Sequence, residues 1–132
     1  MVLESLGHQV ATLLILAIPI ASIAWTITHE DIVREPREWC VRRSRASTRW
    51  LERKVFYVFT CEYCFSHWVT MAVLAVTHFK MLFPDWRGYA VAGFSLVWIA
   101  NLYMNFFARL RLEIKEERLE VEKAEAERPK PN

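Results

Sequence analysis

Apolar residues fall in three blocks along this chain and charged residues in two. The first apolar block covers residues 9–27, QVATLLILAIPIASIAWTI, with no charge inside it. About 20 such residues span the roughly 30 Å hydrocarbon core of a bilayer. A signal peptide is the competing reading of an N-terminal apolar run. Against it, MVLESLGH has no Lys or Arg, and no small-x-small cleavage site follows. A retained helix is expected, with Pro19 removing one backbone donor, bending the helix and lying at a helix–helix contact where neighbours re-satisfy the freed carbonyl.

Residues 28–54 invert the character. Arg34, Arg37, Arg42, Arg43, Arg45, Arg49, Arg53 and Lys54 stand among five acids. STRWLERKVFYVF, from Ser47, has a capping residue followed by a helical period. Such a segment suits the headgroup layer, with Arg42, Arg43, Arg45, Arg49 and Arg53 reaching lipid phosphates while aromatic and aliphatic groups dip inward.

The second block, residues 55–83, is longer than one crossing needs. A carboxylate at the bilayer centre costs at least about 2.5 kcal/mol, so Glu62 is best placed at the interface and the span at 64–83. The turn FPDWRG then reverses the chain. The third span, 89–108, carries Asn101 and Asn105 one turn apart, a pair expected on a helix–helix interface. Trp25, Trp39, Trp50, Trp68 and Trp86 are placed as interfacial anchors. Residues 109–132 form a charge-alternating helical tail. Leu110, Ile114, Val121 and Ala124 follow a four-three step that Glu117 interrupts, a weak coiled-coil pattern.

The expectation is an all-α integral membrane protein: a three-span domain over 1–108, an interfacial amphipathic segment, and a helical tail over 109–132. Orientation follows from Lys and Arg. The middle loop holds eight and the tail seven, while the N-terminal flank holds none. Positive-inside bias then puts loop and tail in the cytoplasm and the N-terminus outside, in a bacterial inner membrane. The net charge of +2 gives no reason to expect nucleic acid as a partner.

Candidate chemistry is concentrated in CEYCFSHW, residues 61–68. A reducing compartment argues against a structural disulfide there. Cys61, Cys64 and His67, joined by Cys40 from the loop, have the donor types of a tetrahedral zinc site, with His29 another candidate. On a straight helix Cys61 and His67 differ by about 9 Å in height, so Cys61 would have to sit in a turn. A thiol pair at a helix start can also be redox-active, although Glu62 opposes thiolate formation. Otherwise the cysteines are small apolar packing residues. The three readings stay open. His78 is read as an interfacial or hydrogen-bonded histidine.

A first span, a charged loop, then Cys-x-x-Cys-x-Ser-x-Trp resembles a family of small bacterial and phage membrane proteins of unknown function. The matching residues are Cys61, Cys64, Ser66 and Trp68, with REPREW at 34–39 as a second echo and Glu62 where the family often has Pro. The resemblance implies a fold and a location but no activity. No nucleophile–base pair, phosphate loop or paired intramembrane acids are present, so an enzyme is not expected. The leading expectation is an accessory or scaffold protein packing on other membrane subunits or on itself. A holin-like pore former and a metal- or thiol-linked membrane protein are the alternatives.

Overall fold

The computed structural model describes residues 5–129. Lys130 of the expected tail and the first four residues of the N-terminal flank lie outside that range. The described chain is helical, with no strand. In order come α1 (Leu6–His29), a 3-10 turn (Asp31–Val33), α2 (Arg34–Ala46), α3 (Trp50–Val58), α4 (Glu62–Thr77) and α5 (Trp86–Ala126).

Helix α1 begins where Ser5 accepts the His8 amide through its hydroxyl, and ends at extended Glu30. It packs against α4 and α5, which also pack on each other, giving a three-helix bundle. The centre of that bundle is made of small residues. Ala17, Ala21 and Ala24 of α1 are buried, as are Ala92 and Ala100 of α5, with Leu13, Ile20, Leu96 and Met104 between them. One-turn spacing of small residues lets two backbones approach closely. The large apolar side chains point the other way: Phe94 is 73% exposed, Trp98 68% and Val76 81%.

Two helices, α1 and α5, are long and apolar enough to cross a membrane. The expected second span differs from the structure. The apolar pattern puts it at 64–83, but α4 has 16 residues and stops at Thr77, a length of about 24 Å. His78 then adopts a left-handed conformation (φ 52°), and Leu82 does so again (φ 66°). The chain is held there by contacts no local pattern announces. Gln9 accepts the Leu82 amide through its side-chain oxygen at 3.1 Å, and Met81 donates to the Gly88 carbonyl at 3.2 Å. At Gly88 a Cβ would lie 2.0 Å from the Phe83 carbonyl oxygen, so only glycine admits this return.

The helix that covers the expected third span starts earlier, at Trp86, and does not end at Ala108. Helix α5 runs without a break into the tail, through Ala126, over 41 residues. Outside the bundle, α2 and α3 form a hairpin. Helix α3 touches only α2 and the start of α4 among the described elements.

Candidate functional site

Polar chemistry gathers where α1 ends, α4 begins and α5 leaves the bundle. The last carbonyls of α1 need donors. Arg37, reaching back from α2, supplies them to Ile27 and Glu30 at 3.3 and 3.2 Å. The Glu30 carboxylate accepts from the Trp25 indole at 3.1 Å and pairs with Arg111 on α5. The indole N–H, and next the Arg111 guanidinium, hold the Glu30 carboxyl below the ordinary carboxylate value. Trp25 stacks on His29 at 4.0 Å between ring centroids and meets Phe107 edge-on at 5.2 Å. His29 approaches the Glu62 carboxylate at 3.4 Å, an ion pair only when the imidazole is protonated. The angles are not those of a hydrogen bond, which leaves that buried Glu62 oxygen without a formal donor.

This junction thus ties α1, α2, α4 and α5 through six polar side chains, Trp25, His29, Glu30, Arg37, Glu62 and Arg111, and an open cleft of about 580 Å³ lies beside it, bordered by Arg111, Lys115 and Arg118. His29 and Glu62 are 33 positions apart in sequence and Glu30 and Arg111 are 81 apart. Nothing in the one-dimensional pattern pairs them.

The residues of CEYCFSHW divide by role. Cys61 is the N-cap of α4, and its sulfur accepts the Cys64 amide at 3.4 Å. Cys61 therefore does sit outside the helix, as a shared ligand role with His67 would require. The remaining ligands do not assemble. The His67 Nδ1 donates to the Tyr63 carbonyl at 2.8 Å, one turn along α4. Cys40 is buried inside the α2–α3 hairpin, where burial raises its thiol pKa, and α2 has no contact with α4. Among the described residues no three His, Cys, Asp or Glu side chains converge on a point where an ion could sit. Cys40, Cys61, Cys64 and His67 are not brought together into one centre. All three cysteines are free thiols.

Ser66, fully buried, bonds across to α5, accepting from Asn101 Nδ2 at 3.1 Å, while the same amide group donates to the Val97 carbonyl at 2.7 Å. Asn105, one turn on and about 40° further round α5, is exposed. Pro19 sits within α1 on an outward groove shared with Phe65, Trp68 and Val69 of α4. Of the five tryptophans singled out, Trp25 is engaged in the junction, and Trp39 packs edge-on against Phe56. Trp50, Trp68 and Trp86 are largely exposed. His78 lies 3.5 Å from the Tyr89 hydroxyl.

No family model, no curated protein and no solved structure matches this chain.

Proposed function

We propose that the chain is a small integral protein of a bacterial inner membrane, an accessory or scaffold subunit acting through helix–helix contacts and its tail. In this reading α1, α4 and α5 are three passes, the N-terminus is outside, and the α2–α3 hairpin and tail lie in the cytoplasm. One observation carries it: the bundle is built with alanines inside and Phe94, Trp98, Phe106, Ile15, Trp68 and Val76 outside. In water such an exterior is an aggregation liability, whereas in lipid it faces a matching solvent. Helix α4 is short for a crossing, a mismatch that local thinning accommodates at modest cost. Phe79, Leu82 and Phe83 extend its apolar reach.

The test has three readouts. The chain should pellet with membranes after alkaline carbonate washing. A C-terminal reporter that works only in the cytoplasm should be active. Controlled expression should leave the membrane potential intact, as an accessory subunit would and a pore former would not. Release of the protein by carbonate would end the membrane reading, and abrupt depolarisation would end the accessory one.

A further inference from the structure

The hairpin's cations are not equivalent. Arg34 pairs with Glu38 at 3.7 Å, Arg37 caps α1, and Arg43 pairs with Glu52 at 3.6 Å while lying over the Trp39 and Phe56 rings. Arg42, Arg45, Arg49 and Arg53 are exposed and meet no carboxylate among the described residues. They cluster at the far end of the hairpin, where α2 closes and α3 opens. That corner is fixed by Ser44 donating to the Arg53 carbonyl at 2.9 Å and by Ser47 donating to Glu52 at 2.6 Å. From Arg42 to Lys54 there are six cations and one acid, Glu52, already in use. Four neighbouring unpaired guanidinium groups repel one another unless anions lie against them.

The apolar side chains of α3 say which anions. Helical spacing puts Trp50, Lys54 and Tyr57 on the face away from α2, with Arg53 on one flank and Leu51 and Val55 on the other. Trp50 and Leu51 are more than two-thirds exposed. A soluble polyanion has nothing to offer Leu51 and Val55, whereas a lipid surface takes both groups at once. The hairpin is also tethered at both ends, to the end of α1 and the start of α4, at one and the same end of the bundle.

We infer that the α2–α3 hairpin is an anionic-phospholipid docking surface, in which Arg42, Arg45, Arg49 and Arg53 hold headgroup phosphates while Trp50, Leu51 and Val55 enter the acyl boundary. Arg43 is not part of it, being committed within the hairpin. The inference rests on the proposed membrane location.

Full-length protein in nanodiscs of phosphatidylcholine, with or without phosphatidylglycerol, tests it by backbone hydrogen exchange. The α3 amides should exchange at least about tenfold more slowly with phosphatidylglycerol present, since each arginine contributes up to roughly fivefold to surface partitioning. The dependence should vanish in the quadruple Arg→Gln variant at 42, 45, 49 and 53, and persist in the quadruple Arg→Lys variant, which keeps the charge. Arg43→Gln should retain it. Equal α3 exchange in both lipids, with α1 and α5 protected in both, would overturn the docking surface and leave the membrane location standing. Failure of α1 and α5 to be protected in either disc would overturn both. Slowing by soluble duplex DNA in neutral discs, matching that by phosphatidylglycerol, would assign the surface to nucleic acid instead.

Discussion

The two halves of α5 share one uninterrupted backbone and almost nothing else. From Trp86 to Ala108 the helix buries Gly88, Ala92, Leu96, Val97, Ala100 and Met104 against α1 and α4. From Arg109 to Ala126 every residue is exposed, and acids alternate with bases. The hydrogen-bond ladder is common to both, so it distinguishes nothing. What differs is the surroundings each half needs. The first half presents small residues inward against its neighbours and bulky apolar ones outward, and is apolar enough over its length to cross a membrane. The second half has no packed face and, among the described residues, no ion pair between its own side chains, so its helicity rests on intrinsic propensity, which differs by only tenths of a kcal/mol per residue.

That contrast can be broken first at the turn that starts α5. Gly88→Ala would place a methyl on the Phe83 carbonyl, so the 78–85 return must move; a loss of about 3 kcal/mol, the upper end of overpacking, is expected in thermal unfolding of detergent-solubilised protein. Ala100→Leu, at a position with no exposure, should cost about 1–3 kcal/mol by the same measurement. Ala124→Leu in the tail should change stability by less than about 0.5 kcal/mol. Equal effects at Ala100 and Ala124 would mean that the seam is not packed as described. Between those two falls the amide pair. Asn101→Ala removes the bridge to Ser66 and should cost about 0.6–2 kcal/mol, and Asn105→Ala should cost nothing measurable.

The asparagines also show how far the pattern of residues could be read. One-turn spacing rightly puts Asn101 and Asn105 on neighbouring positions of α5. The two differ by only about 40° around the helix, with Asn101 at the edge of the buried arc and Asn105 beyond it, so only a partner's position decides which of them is engaged. The apolar blocks located α1 and the first half of α5, because length and hydropathy are local properties. The end of α4 was not legible. Nothing in MAVLAVTHFKMLF breaks a helix, and the return that follows His78 is held by Gln9, 73 positions before Leu82, and by Gly88, beyond the stretch itself. The alanine seam was present as Ala17, Ala21 and Ala24, a signal of close approach that hydropathy alone averages away. Within CEYCFSHW, residue types suggested ligands, while the structure uses Cys61 as a cap, Ser66 as a bridge and Glu62 as a neighbour of His29. Ligand convergence is a three-dimensional property that spacing along one helix does not encode.

The junction between the halves of α5 offers the finest test, because one ion pair marks it. Arg111 is the first tail cation to find a carboxylate, and that carboxylate, Glu30, belongs to the end of α1. Trp25 and then Arg111 lower the Glu30 pKa from its ordinary value of 4.5, so the folded state favours the ionised form. The stabilisation is therefore complete above 4.5 and is lost as pH falls through the lowered value. Hydrogen exchange near Leu110 to Ile114 should accelerate below that point in the native chain, while exchange at Ala92 to Ala100 stays unchanged. Glu30→Gln should bring the faster exchange to neutral pH and remove its pH dependence, and Arg111→Ala should do the same from the other side. Both partners are exposed, so the change in global stability should be small and should shrink further in high salt. If the tail amides instead follow the bundle amides at every pH, α5 is one cooperative unit, and the division drawn between its halves is a division of side chains only.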